Sequence, residues 1–282
     1  RSASVSVDVG VPVVDIVGTG GDGAGTFNIS TTAAFVAAGA GVKIAKHGNR
    51  AASSPTGSAD LLEQLGFDLE LSPDATAQMV RETNFGFFFA PRYHPAMRFA
   101  VPVRRELKVR TVFNFLGPLC NPASAERYAI GVSDPQMAER MIHVLANLGA
   151  EAAFVYHGED GLDELTTTGR SFIHRLRDGE ITKAEFLPSD FGVARAAPAD
   201  LAGGDVARNE AITRDVLAGA KGPARDITLV NAAAAIVVAG LADGFAEGIE
   251  LARAAVDSGD AQAALDRSAA LSAELASADA DQ

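Results

Sequence analysis

Short apolar runs alternate with longer helical patterns along most of the chain. Residues 13–17 form a β-branched run ending in glycines, which predicts a buried strand, and residues 42–45 predict a second. Between them an Ala-rich stretch predicts a helix to about Gly39, with Ser30, Thr31 and Thr32 as N-cap candidates. Residues 57–65 have helical spacing, and Gly66 stands where a helix would stop. Ser72-Pro73 opens another helix, with Ser72 as cap and Pro73 in its first turn. Residues 85–89, 128–132 and 152–157 predict strands, and 136–148 a helix. Residues 172–186 predict a hairpin around Asp178-Gly179. Leu201-Ala202-Gly203-Gly204-Asp205 breaks the chain before a helix through Asn209 and Val216. A buried helix within 226–240 follows, then two amphipathic helices separated by Gly259. The β-α-β order predicts an α/β fold with a largely parallel sheet flanked by helices, as one domain over 1–282.

Composition narrows the function. The 282 residues are 48% hydrophobic, enough for a substantial core, and the formal charge of −12 argues against a nucleic-acid binder. One cysteine, Cys120, provides neither a disulfide framework nor a thiolate zinc site. The histidines, His47, His94, His143, His157 and His174, lack metal-ligand spacing. The longest apolar run, 229–241, is interrupted by Asn231 and is too short to span a membrane, and the N-terminus lacks a signal-peptide pattern. A cytoplasmic location is the expectation.

The first chemical signal lies between the first two strands. Gly18-Thr19-Gly20-Gly21-Asp22-Gly23 fits the dinucleotide fingerprint formally, but Lys46, His47 and Arg50 stand where that fingerprint needs an acid, and no P-loop Gly-Lys-Ser/Thr follows. Basic groups facing a glycine loop at a helix N-terminus point to a multiply charged phosphate ligand. The second signal is the acidic run 158–168. From composition alone the run reads as an acidic surface loop, but Asp163 and Glu164 beside a phosphate site would suit Mg²⁺, which takes one or two carboxylates plus phosphate oxygens. Glu159 and Asp160 read as ordinary acidic surface. Residues 111–122 read as a rigid turn, with Gly117-Pro118 and Asn121-Pro122 as breakers.

Gly-Thr-Gly-Gly-Asp at 18–22, Asn-x-Ser-Thr at 28–31, Lys-His-Gly-Asn-Arg-x-x-Ser-Ser at 46–54 and Asp-Glu-Leu-Thr at 163–166 resemble, in order and spacing, the anthranilate phosphoribosyltransferases. The resemblance implies transfer of phosphoribose from phosphoribosyl pyrophosphate to anthranilate, on a fold shared with pyrimidine nucleoside phosphorylases. It implies donor contacts at Gly18, Thr19, Gly21, Asp22, Thr26, Asn28, Ser30, Thr31, Lys46 and Ser54. It implies anthranilate contacts at Gly18, His47, Asn49, Pro91, His94 and Arg104, and Mg²⁺ ligands at Ser30, Asp163 and Glu164. Arg105, next to Arg104, reads as a solvated residue.

The family carries N-terminal helices before the glycine loop, whereas only a dozen or so residues precede the first strand here. The expectation is a reduced helical subdomain to which 91–110 contributes, and a homodimer weakened by the missing helices. Two rivals stand beside this reading. A nucleoside phosphorylase should have Ser-Thr-Gly-Gly after Lys-His, where this chain has Gly-Asn-Arg. A non-enzymatic nucleic-acid-binding paralogue should present a basic face.

Overall fold

A computed structural model describes residues 4–51, 55–99 and 113–280. Its seven strands are β1 (Val14–Gly18), β2 (Ile44–Gly48), β3 (Phe85–Phe89), β4 (Arg127–Gly131), β5 (Ala152–Gly158), β6 (Ser171–Arg177) and β7 (Glu180–Phe186). They form one sheet in the order β3-β2-β1-β4-β5-β6-β7. The first five are parallel, and the hairpin β6–β7 extends the sheet antiparallel from β5. The α/β fold with a largely parallel sheet is as the apolar pattern predicts.

The longer helices are α1 (Ile29–Gly39), α2 (Ser58–Gln64), α3 (Pro73–Thr83), α4 (Pro135–Asn147), α5 (Val206–Leu217), α6 (Pro223–Val238), α7 (Phe245–Asp257) and α8 (Asp260–Ala280). On one face α1, α6, α7 and α8 pack together over a core that includes Ile16, Ile44, Phe85 and Phe154. Small residues permit this close layer, since a methyl on Gly39 would meet the backbone of Ala261 at 2.7 Å. The other face, with α4, buries Ala45, Phe88, Tyr128, Ile130 and Val155. Burial on both faces is why these strands read as apolar runs rather than as alternating ones.

Several local expectations need correction. Helix α1 starts at Ile29, with Asn28 in the cap position and no side-chain cap. The Asn28 amide is instead engaged with the Thr56 carbonyl and with Asn209, so Ser30, Thr31 and Thr32 lie inside the first turn. Strand β2 extends to Gly48, which places Lys46 and His47 inside a strand, where successive side chains face opposite ways. Of the 91–110 segment, the described part forms two short helical turns, Ala90–Tyr93 and Pro95–Phe99. Arg104, Arg105 and Ser54 lie outside the described residues. The 111–122 turn contains two short helical turns, Phe113–Leu116 and Pro118–Cys120.

Strand order reverses between β1 and β4. In open α/β sheets this switch point opens a crevice beyond the carboxyl ends of the strands. The loop after β1, the end of β2 and the loop after β5 all meet there.

Candidate active site

The loop after β1 is held open by backbone that glycine adopts readily: Gly20, Gly21, Gly23 and Gly25 all have φ between 63° and 79°. Its far end is tied to the segment before α5 by Gly203 N–H to the Gly25 carbonyl (2.9 Å) and Phe27 N–H to the Leu201 carbonyl (3.1 Å). Its near end is tied by Thr19 N–H to the Gly131 carbonyl at the tip of β4 (2.9 Å).

The acidic loop lies across the ends of β1 and β4. Asp163 Oδ2 accepts the Gly20 N–H at 2.6 Å, and Glu164 Oε1 accepts the Ser30 N–H at the start of α1 at 3.1 Å. The adjacent carboxylates thus converge on one crevice, as a loop permits and a regular strand would not. Two glycines make room for them. A methyl on Gly18 would lie 2.5 Å from Asp163 Oδ2, and one on Gly131 would overlap the Asp163 carbonyl oxygen. Burial holds the Asp163 carboxyl well above the usual carboxylate range, and the charge of neighbouring Asp22 adds to this. Burial raises Glu164 too, with Asp163 adding to it and Lys46 opposing.

Lys46 supplies the buried cation. Only 1% exposed, it donates through Nζ to the Ile16 carbonyl at 2.7 Å and to Ser30 Oγ at 3.3 Å. Burial lowers its pKa to about 8 against the pull of Asp15, Glu164 and Asp163. Strand alternation turns His47 to the opposite face. There Nδ1 donates to the Gly117 carbonyl (3.1 Å), and Nε2 lies 3.1 Å from His94 Nε2. Burial and the neighbouring His94 lower the His47 pKa to about 3, with the Gly117 carbonyl opposing. Asp15, fully buried beneath, accepts the His47 backbone N–H at 3.1 Å. Burial raises its pKa to about 6, opposed by the Asn121 amide, the His47 N–H and Lys46.

Of the three basic residues expected to face the glycine loop, only Lys46 does. Arg50 turns outward to Asp60 and Glu63 on α2 (2.9 and 2.8 Å), because those acids lie within reach of its long side chain. Asn49 is exposed, with Oδ1 accepting the Arg50 N–H (2.7 Å). Pro91 is exposed on the turn that brings His94 to His47. Thr31 is buried in the first turn of α1, and Thr26 pairs with Ala202. Glu159 and Asp160 are exposed, as expected of acidic surface, but the Asp160 carboxylate also bonds inward. It accepts Thr166 Oγ1 (2.7 Å), Thr168 Oγ1 and the Leu162 N–H (3.2 Å), and so ties the acidic loop from within. Sequence reasoning also missed Gly131 and Asp15, and read Gly117 only as a chain breaker. The one available signal for Asp15 was a carboxylate inside a β-branched run.

Among the described residues no group of three or more His, Cys, Asp or Glu is poised to hold a metal alone. The chemistry of the donor set still fits Mg²⁺, which needs only one or two carboxylates when phosphate supplies the rest. Glu164 Oε2 and Thr19 Oγ1 are buried without a hydrogen-bond partner among the described residues. Two clustered acids with raised pKa values are a local charge excess that a divalent cation would relieve.

Comparison with known proteins identifies the family. Residues 10–262 match the family described as "Glycosyl transferase family, a/b domain". An anthranilate phosphoribosyltransferase of Solibacter usitatus is 57% identical over 254 residues, 90% of this chain and 75% of that protein. The crystal structure of anthranilate phosphoribosyltransferase from Thermus thermophilus superposes with a TM-score of 0.91 at 46% identity, covering 96% of this chain and 82% of that one. The Saccharomyces cerevisiae enzyme in complex with PRPP and Mg superposes with a TM-score of 0.87 at 32% identity, covering 97% of this chain and 77% of that one. A glycine loop, an acidic pair and a buried lysine meet at the switch point, and identity at this level runs over nine-tenths of the chain: the chain belongs to the anthranilate phosphoribosyltransferases of the glycosyl transferase family.

Proposed function

We propose that this chain transfers the phosphoribosyl group of phosphoribosyl pyrophosphate to the amine of anthranilate, giving N-(5-phosphoribosyl)anthranilate and pyrophosphate, a step of tryptophan biosynthesis. The observation that carries this reading is the convergence of Asp163, Glu164 and Lys46 on the glycine loop at the switch point of the sheet. The amine lone pair forms the bond to ribose C1. The bond from C1 to the pyrophosphate oxygen breaks with its electron pair on pyrophosphate, and the amine proton passes to solvent. An aromatic amine is neutral at neutral pH, so the step rests on positioning and on stabilising the leaving charge rather than on a strong base.

In this reading Gly18, Thr19, Gly21, Asp22, Thr26, Asn28, Ser30, Thr31 and Lys46 hold the donor, with Ser54 beside them in sequence. Asp163, Glu164 and Ser30 hold Mg²⁺, which when bound would neutralise charge on the leaving diphosphate. The paired side chains of His47 and His94, with Gly18, Asn49 and Pro91, line the acceptor side, and Arg104 takes the anthranilate carboxylate. His47, kept neutral by burial, offers a shaped uncharged wall rather than a cation.

Pyrophosphate release tests the reaction. Release from phosphoribosyl pyrophosphate should require anthranilate and stop when Mg²⁺ is chelated. Release without anthranilate, or phosphorolysis of a pyrimidine nucleoside in its place, would overturn the reading. Among the described residues no helix is long and apolar enough to cross a membrane.

A further inference from the structure

Asn231 is a fully buried amide in the middle of α6, among Leu229, Val230, Ala232 and Ala233, all buried. An amide in such surroundings persists only if its hydrogen-bonding groups are matched. Its Oδ1 accepts the Leu165 N–H at 2.9 Å. Its Nδ2 donates to the Leu165 carbonyl at 2.9 Å and to the Ile227 carbonyl of its own helix at 2.9 Å. The side chain therefore pairs with both main-chain groups of one residue, as a neighbouring strand would. That residue directly follows Glu164.

The other side of the acidic pair is held independently. Asp160 accepts the Leu162 N–H, and the Leu162 carbonyl accepts the Gly158 N–H at 2.9 Å. The segment 162–165 is thus clamped on both sides of Asp163 and Glu164, by Asp160 within the loop and by Asn231 from a helix 66 positions further on. We propose that Asn231 is a positioning residue: by fixing the Leu165 main chain it sets the Asp163 and Glu164 carboxylates to face the glycine loop in the geometry a divalent cation needs. The inference rests on the metal role given to that pair under the proposed function. It adds that the site is aimed from α6, on a residue that touches neither substrate nor metal.

The purely structural alternative is that Asn231 only fastens the loop to α6. Two variants of the full chain separate these roles: Asn231→Leu, which keeps an apolar helix interior, and Asn231→Ala, which keeps the helix if leucine overfills the site. Mn²⁺ alone is titrated by electron paramagnetic resonance, and the apparent Mg²⁺ requirement of turnover is measured beside the anthranilate KM. Loss of a residue that orients metal ligands typically weakens metal affinity by roughly 10–100-fold. The expected result is Mn²⁺ binding weakened by about 10-fold or more, a matching rise in the Mg²⁺ requirement and an unchanged anthranilate KM, from protein that still melts cooperatively. Parental Mn²⁺ affinity in a folded variant overturns the proposal. Asp163→Asn with Glu164→Gln serves as reference. If that double variant binds Mn²⁺ like the parent, the metal reading itself fails; if it loses Mn²⁺ while the Asn231 variants keep it, only the positioning inference fails.

Discussion

Strand β2 has two chemically different sides, one residue apart. On the Lys46 side a buried ammonium donates to the Ile16 carbonyl and Ser30 Oγ, while Glu164 accepts from the first turn of α1 and Asp163 from the glycine loop. On the His47 side two imidazoles and a backbone carbonyl meet, and burial keeps His47 neutral. Period-two alternation in one strand can therefore serve two substrates. On the proposed assignment a polyanionic donor is met by a region built for charge, and an aromatic acceptor by a neutral wall. The anthranilate carboxylate then needs its cation from elsewhere, which is the role proposed for Arg104.

The greatest loss should come from removing charge on the donor side alone. Asp163→Asn with Glu164→Gln should abolish Mg²⁺-dependent turnover while circular dichroism shows an intact fold. Parental activity at limiting Mg²⁺ would remove the acidic pair from the site. Next in size is Gly131→Ala, whose added methyl overlaps the Asp163 carbonyl oxygen and must displace the acidic loop. A shift of about 1 Å at such a site can cost roughly 100-fold in rate, and steady-state kcat should fall on that scale. An unaffected kcat would mean that the loop tolerates displacement.

Those two predictions differ in how far the sequence reveals them. The glycine loop is legible because it is a compact local signal with few structural reasons to exist, and the acidic pair because the glycine loop and the Asp-Glu-Leu-Thr resemblance lift it above an ordinary acidic surface loop. The apolar strands are legible because both faces of the sheet are covered. The partners that give the site its shape are not. Gly131 matters through Asp163, Asp160 through Thr166 and Thr168, and Asn231 through Leu165. Each role arises from a tertiary contact, and nothing near the residue in the chain announces it. The direction of Arg50 was hidden for a similar reason: its acids lie on α2, more than a helical turn beyond the apparent basic cluster. The divergence of Lys46 and His47 followed from strand length, since ending β2 at 45 would have left both in a loop.

On the acceptor side, Arg104→Ala should raise the anthranilate KM by roughly 30-fold, within the ~2–5 kcal/mol typical of losing one partner of a partly buried charge pair. The donor KM should change little, and Arg105→Ala should leave both near parental values. A larger effect at Arg105, or harm confined to the donor KM, would misplace the acceptor site.

The smallest effect is on stability, and the two sides should respond to pH with opposite sign. Asp163 has a folded pKa raised to about 7, so its contribution is full at low pH and is lost as pH rises between about pH 4 and about pH 7. His47 has a folded pKa lowered to about 3, so its contribution is full above about pH 6.5 and is lost as pH falls towards about pH 3. Thermal melts in chelator should therefore show Asp163→Asn gaining stability relative to the parent above about pH 7, where the parent must bury the charge. His47→Gln should lessen the loss in acid. Parallel melting curves for parent and variants across this range would mean that neither group feels the burial described.

Anthranilate fluorescence, followed in the presence of the purified chain, decides whether the crevice takes the substrates assigned to it. The signal should decay only when phosphoribosyl pyrophosphate and Mg²⁺ are both present, with one pyrophosphate released per anthranilate consumed. Decay that persists without either component, or no decay with both at saturation, would contradict the assignment of a phosphoribosyl donor and its metal to the crevice between β1 and β4.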